Sequence, residues 1–340
     1  MVRVALDAMG GDDAPGSVVA GAIRAARECP YQIILVGDEA RMQRELARYA
    51  KRPANLTTHH ASEVIEMHEP PAATIRKKRD ASIAVAAQLL KDGAADAMVS
   101  AGNTGATVAS SVLRLGLLSG VERPGIAILL PTIKGVTLLI DAGANIDPKA
   151  EHLFQYALMG DAYSRHVLGQ RSPRVGLLNV GEEESKGTDL LKETFNMLEH
   201  NPHLQFAGNV EGRDIFNGEV DVIVCDGFVG NVALKSAEAL AQTISHVLRR
   251  ELSRNLLTRL GAWLSRPAFI ALRKEIDYAE YGGAPLLGVN GACIICHGAS
   301  SAKAIKNAIR VAAEFVEHEL NQRIIEAIRR SAPVTAAPPQ

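Results

Sequence analysis

Six times along this chain a short apolar run, rich in β-branched residues, breaks into Gly, Asn, Asp and Ser and then into helical periodicity. The six polar loops are DAMGGDDAP at 7–15, SAGNTG at 100–105, DAGAN at 141–145, NVGEEESKGT at 179–188, DGFVGN at 226–231 and HGASS at 297–301. Strands alternating with helices predict a mostly parallel sheet with helices on both faces, a three-layer α/β/α architecture. Ligands of such sheets sit beyond the carboxyl ends of the strands. The six loops are therefore expected to form one shared site.

The clearest of the six lies in EVDVIVCDGFVGNVALK, 219–235. Val220 and Val222 to Cys225 read as a buried strand. The helical period starts at Val232, which makes Asn231 the expected N-cap. Backbone N–H groups of Gly227 to Gly230 would then face an anion, aided by the helix dipole.

Further strands are expected at 1–7, 33–36, 96–100, 126–130, 136–141, 174–179 and 292–297. The PTIKG linker between two of them, 131–135, is short enough to predict an antiparallel hairpin. Helices are expected from Pro15 to Glu28 and over 39–49, 81–91, 105–118, 150–167 and up to Glu199. One long final helix should cover 302–329. The chain reads as a single α/β unit over 1–330, with a helical hairpin inserted at 249–275 and a disordered tail at 331–340.

Composition limits the function classes. A net charge of −1 over 340 residues argues against nucleic-acid binding by bulk charge. Four cysteines, three of them in apolar runs, suit a reducing compartment better than a disulfide framework. The start, MVRVALDAMGG, lacks a signal-peptide layout, and no apolar run approaches a spanning helix. These features predict a soluble protein of a reducing compartment, still able to touch a membrane.

Individual residues carry two readings each. GEEESKGT has Lys-Gly-Thr where a P-loop needs Gly-Lys-Thr, so Lys186 is either an anion-binding charge near a helix start or a solvated lysine paired with Glu182–Glu184. Lys235 repeats that dipole conflict one turn into the next helix. Asp226 could be a base or a cap; His297 a proton shuttle, a phosphate ligand or a structural histidine. Cys293 and Cys296 in CIIC face opposite sides of a strand, so a shared metal is disfavoured. GASSA around Ser300 lacks a nucleophile elbow, and GGDDAPG lacks the dinucleotide fingerprint.

Segment 249–275, RRELSRNLLTRLGAWLSRPAFIALRKE, differs in kind, with seven Arg and Lys against two Glu. Leu252, Leu256, Leu257, Leu260, Trp263 and Leu264 make one apolar stripe, with Trp263 expected near a turn. Such a hairpin fits an anionic membrane surface, an acidic partner, a dimer interface or simply its own core.

Together DAMGGDDAP, SAGNTGA, DAGAN, NVGEEESKGT, GNVEGRDIFNGEVDVIVCDGFVGN and EYGGAPLLGVNGACIICHGASS resemble the bacterial phosphate acyltransferase (PlsX) family, from Val2 to about Arg310. The resemblance implies an isocitrate/isopropylmalate dehydrogenase-like fold, shared with phosphotransacetylase. It implies transfer of a long-chain acyl group from acyl carrier protein to inorganic phosphate, in the cytoplasm and with no cofactor. The acyl phosphate would serve a membrane glycerol-3-phosphate acyltransferase in phospholipid synthesis, with the protein a homodimer peripheral to the inner face of the cell membrane.

On that reading Lys186 and Asn231 are the central catalytic donors, with Asp226 and His297 beside them. Asp7, Gly10, Gly11, Ser100, Gly102, Asn103, Thr104, Gly105, Asn145, Gly227, Gly230 and Ser300 bind phosphate or substrate. Arg249, Arg250, Arg254, Leu257, Arg259, Leu260, Trp263, Leu264 and Arg266 dock carrier protein or membrane. A short-chain acyl-coenzyme A phosphotransacetylase, a decarboxylating dehydrogenase of the same fold and a non-catalytic membrane scaffold are the rivals.

Overall fold

The computed structural model describes residues 1–276 and 280–331. Its strands are β1 (Arg3–Asp7), β2 (Gln32–Gly37), β3 (Leu56–His60), β4 (Ala97–Ser100), β5 (Gly125–Thr132), β6 (Gly135–Ile140), β7 (Arg174–Leu178), β8 (Gln205–Val210), β9 (Val222–Val224), β10 (Ala284–Leu287) and β11 (Ala292–Ile295). They join in one sheet, in the order β3-β2-β1-β4-β11-β10-β5-β6-β9-β7-β8. The helices are α1 (Gly16–Glu28), α2 (Glu39–Leu46), α3 (Pro71–Lys77), α4 (Ser82–Lys91), α5 (Thr104–Leu115), α6 (Ala150–His166), α7 (Asp189–Glu199), α8 (Gly227–Leu252), α9 (Leu256–Leu264), α10 (Arg266–Ile276), α11 (Ala302–Glu317) and α12 (Leu320–Ser331).

Side-chain alternation along the strands splits the core into two layers. Val4, Leu6, Leu138, Ile140, Val222 and Val224 enter one cluster; Ala5, Leu139 and Ile223 enter the other. Residues of α1, α6, α11 and α12 cover the first face, and residues of α4 and α5 the second. Cys293 and Cys296 fall in opposite layers, as strand geometry requires, and both thiols are free.

The hairpin at 131–135 forms as its length predicts, with β5 and β6 paired antiparallel from Ala127↔Ile140 to Thr132↔Gly135. A further strand, β10, pairs antiparallel with both β11 and β5. Three antiparallel steps thus separate the parallel group β3, β2, β1, β4, β11 from the parallel group β6, β9, β7, β8. The two groups run in opposite directions.

Three expectations are corrected. The final helix is two helices, because Glu319 turns left-handed at φ 51° and lets α12 pack on α6 while α11 packs on α1. The helix after β9 starts at Gly227, five residues before its apolar period. The segment 249–275 is not a plain hairpin: α8 runs on to Leu252, and α9 and α10 follow. Gly261 and Trp263 lie inside α9, and the turns fall at 253–255 and at Ser265. The expected tail at 331–340 lies, beyond Ser331, outside the described residues.

Candidate active site

The six polar loops fall into two sets, one for each parallel group. Loops 7–15, 100–105 and 297–301 make the first. Asp7 is buried at the end of β1, and its Oδ2 accepts the Ser100 hydroxyl at 2.7 Å while Oδ1 accepts the Met9 N–H at 3.2 Å. A Cβ on Gly10 would lie 2.6 Å from both Asp7 Oδ2 and Gly102 N. The Asp12 N–H donates to the Gly298 carbonyl at 2.8 Å, and Gly11 lies against that same carbonyl, so the β11 loop closes onto the β1 loop. Burial pushes the Asp7 carboxyl pKa up, against the hydroxyl and N–H donors that pull it down.

Several residues expected to bind substrate already have partners within the protein. Asp7 and Ser100 satisfy each other and lock two loops together, so neither side chain points donors at a ligand. Gly102 spends its N–H on Ser100 Oγ at 3.0 Å. Asn103 caps α5 by accepting the Ala106 N–H at 3.0 Å, and its amide donates to the Met67 and Glu69 carbonyls. Gly105 is a close-packing position, since a Cβ there would lie 2.6 Å from Pro71. Thr104 is exposed at the start of α5. Ser300 is buried and gives its N–H to the His297 carbonyl; Ser301 caps α11.

Loops 141–145, 179–188 and 226–231 make the second set. Its organiser is Asp141, which the sequence left as part of a loop. The Asp141 carboxylate accepts N–H groups from Ile126, Gly143, Ala144 and Asn145 at 2.7–3.1 Å. Burial pushes its pKa up and those four donors pull it down. Asn145 is similarly engaged: its amide donates to the Pro124 carbonyl and the Tyr156 hydroxyl, and its own carbonyl accepts the Gly227 N–H at 2.7 Å.

Three N–H groups at the start of α8 are engaged within the protein. Gly227 donates to Asn145, Val229 to Asp226 Oδ1 at 2.9 Å, and Gly230 to the Asp226 carbonyl at 2.9 Å. Asp226, not Asn231, is the N-cap. That removes the capping reading of Asn231. Its exposed side chain lies against Gly143, whose φ of 133° suits glycine, and no hydrogen bond engages its amide among the described residues.

Lys186 stands one strand further out. The loop beneath it is held by Asn179 Nδ2 donating to the Lys186 carbonyl at 3.1 Å. Its side chain is exposed, and among the described residues no carboxylate pairs with it; Glu182 pairs with Arg213 at 2.6 Å instead. No hydrogen bond joins the side chains of Lys186 and Asn231.

What connects the two sets is α8. It starts in the second set and, two turns on, brings Lys235 Nζ to 3.5 Å from His297 Nε2 in the first. Glu238 also meets Lys235, at 3.1 Å. His297 Nδ1 accepts the Ala299 N–H at 3.1 Å, which leaves Nε2 as the proton-bearing nitrogen in the neutral ring. An ammonium and an imidazole N–H thus converge where α8 crosses the first loop set. The sequence signal for Lys235 was its place one turn after Asn231; its partner 62 positions away was not legible.

The three buried cysteines are poor nucleophiles. Burial pushes the Cys293 and Cys296 thiols up to about 12 and the Cys225 thiol well above its ordinary range.

Residues 249–271 are not packed on their own core: none of them is buried. No residue of α9 is buried, and Leu257 and Trp263 are 81% and 68% exposed. The exposed apolar stripe continues back along α8 through Leu240, Ile244, Val247 and Leu248. No helix among the described residues is long and apolar enough to cross a membrane.

Comparison with known proteins places this geometry. A phosphotransacetylase from Streptococcus pyogenes superposes with a TM-score of 0.65 at 20% identity, covering 93% of this chain and 94% of its own. A putative 4-hydroxythreonine-4-phosphate dehydrogenase from Salmonella typhimurium gives 0.52 at 13%, covering 92% and 99%. These share the fold. The phosphate acyltransferase of Geobacter sulfurreducens is 52% identical over 325 residues, 96% of this chain and 94% of its own length. That of Nitratidesulfovibrio vulgaris is 51% identical, again over 96% and 94%. The family model described as fatty acid synthesis protein matches residues 2–323, and this chain belongs to that family.

Proposed function

We propose that this chain is a phosphate acyltransferase that moves a long-chain acyl group from acyl carrier protein to inorganic phosphate, giving acyl phosphate for phospholipid synthesis. The observation that carries the reading is 52% identity to a phosphate acyltransferase over 96% of the chain. A phosphate oxygen attacks the thioester carbon, the carbonyl electrons move onto oxygen, and collapse expels the carrier thiolate. The proton of hydrogen phosphate ends on that thiol, whose ordinary pKa of about 8.5 makes it a competent leaving group. No covalent enzyme intermediate is needed, and the buried cysteines could not supply one.

Lys186 and Asn231 hold the developing oxyanion and the attacking phosphate. Both side chains are exposed and uncommitted, unlike Asp7, Asn103, Asp141 and Asn145. Lys235 and His297 form a second donor pair, suited to phosphate or to returning the proton. Asp226 serves as the cap that aims α8, not as a base. The test mixes protein, acyl carrier protein thioester and phosphate, and traps acyl phosphate with hydroxylamine. Phosphate-dependent hydroxamate is expected; its absence overturns the reading. Substituting a short acyl-coenzyme A as sole competent donor would make the enzyme a phosphotransacetylase instead.

The exposed helices suit the substrate and the product. Arg249, Arg250, Arg254, Arg259 and Arg266 dock the acidic carrier protein. Leu256, Leu257, Leu260, Trp263 and Leu264 enter the bilayer surface shallowly, where the product is consumed. The apolar stripe of α8 is the face that a second copy would cover in a homodimer. Trp263→Glu should release the protein from anionic vesicles, with turnover in solution largely kept. Unchanged vesicle binding would count against membrane docking by α9.

A further inference from the structure

Large apolar side chains stand exposed on the loops of the second set, next in sequence to the residues that build it. Ile146 follows Asn145 and is 75% exposed; Val180 follows Asn179 and is 81% exposed; Phe228 follows Gly227 and is 62% exposed. Val229 and Val232, on the first two turns of α8, are 40% and 49% exposed. These loops end β6, β7 and β9, which are consecutive in the sheet as β6-β9-β7. The Gly227 N–H to Asn145 carbonyl bond sets Phe228 and Ile146 on adjoining backbone. The Asn179 amide ties Val180 and Lys186 into one loop by taking the Val180 N–H at 2.8 Å and holding the Lys186 carbonyl.

Apolar side chains on catalytic loops need a reason, because a polar residue there would cost nothing in the core. Grouped exposure of this kind marks a contact surface for something apolar. Asn231 sits among them, with Val229 and Val232 on either side of it in the chain. We propose that Ile146, Val180, Phe228, Val229 and Val232 form the seat of the fatty acyl chain, running away from the thioester carbon held near Asn231 and Lys186. This rests on the acyltransferase reading and specifies where its substrate's tail lies. The occupant follows from continuity with the reactive side chains: the tail is covalently joined to the carbon that must lie among them. A phosphate would gain nothing from Phe228 or Ile146. The seat is open at one side, so tail length should be read as a gradual gain per methylene, not a sharp cut-off.

The experiment compares C16 and C4 carrier-protein thioesters as donors for wild type, Ile146→Ser, Val180→Ser, Phe228→Ser and the triple variant. The readout is the ratio of kcat/KM for C16 to that for C4. A fall of roughly threefold to tenfold per side chain is expected, and of order 10² for the triple variant. A ratio equal to that of wild type overturns the proposal, whether absolute rates fall or not. Should Phe228→Ser unfold, as judged by circular dichroism, the loop variants Ile146→Ser and Val180→Ser carry the same comparison. Sedimentation separates the competing occupant: dissociation of a dimer with an unchanged ratio would make this surface a subunit interface and overturn the seat. If wild type makes no phosphate-dependent product from either donor, the acyltransferase reading itself has failed.

Discussion

Lys186→Ala is expected to lower acyl phosphate formation by at least about 10²–10³-fold, the usual range for removing one donor to a developing oxyanion. Melting temperature should stay within about 1–2 °C of wild type, since substitutions at exposed positions without partners are nearly neutral. The structure supports this separation of effects. The loop fold depends on Asn179 holding the Lys186 carbonyl, a backbone contact that alanine keeps. No ion pair involving Lys186 would be lost among the described residues. Arginine should restore little, because a planar guanidinium presents its donors differently from an ammonium. Near-normal turnover of Lys186→Ala would show the assignment to be wrong.

Gly230→Ala is expected to act through the fold. A Cβ there would lie 1.9 Å from the Asp141 carbonyl oxygen and 2.9 Å from Cys225 Sγ. Neither can yield easily. Asp141 is fixed by four N–H donors to its carboxylate, and its N–H donates to the Cys225 carbonyl at 3.0 Å. The start of α8 would have to lift from the loop, taking Asn231 away from Gly143. A destabilisation of about 3 kcal/mol or more is expected, with loss of turnover larger than the loss of folded protein. Gly261→Ala is the control: nothing lies within 4 Å of a Cβ there, and alanine favours the helix by about 1 kcal/mol. Calorimetry and activity measured together decide it. If Gly230→Ala melts like wild type, the tight seating of α8 on loop 141–145 is not real.

The alternation of strands and helices was legible because it is local. β-branched runs such as Val222 to Val224 and the β5–β6 hairpin are written within a few residues. The strands that sequence reading passed over, β3, β8 and β10, are short, polar or at the sheet's edge, where apolar patterning is weak. The break at Glu319 was hidden because α11 and α12 each keep good helical periodicity on either side of it. The start of α8 differs from the expectation for a physical reason: Gly227 and Gly230 read as loop residues, yet they are helical so that backbone can approach Asp141 and Asn145.

Within the candidate site the sequence marks the loops and leaves their division of labour open. Asp7, Ser100, Asn103 and Asn145 are residue types that bind phosphate as readily as they bind backbone. Only the fold shows them satisfying each other or nearby carbonyls. Asp226 and Asn231 were both plausible caps, and the choice depends on a turn geometry set by neighbouring strands.

By itself the sequence determined the layered α/β class, the six loops at strand ends and the family, because each is carried by local pattern or by long matching strings. Tertiary structure decided the rest. It split the loops between two oppositely running groups of strands and engaged three N–H groups at the start of α8 within the protein. It left Lys186 and Asn231 uncommitted, and it joined Lys235 to His297 across 62 residues. Those outcomes depend on which donors and acceptors meet in space. Hydrogen bonding is strongly directional and short-ranged, and sequence order says nothing of which partners will come within its reach.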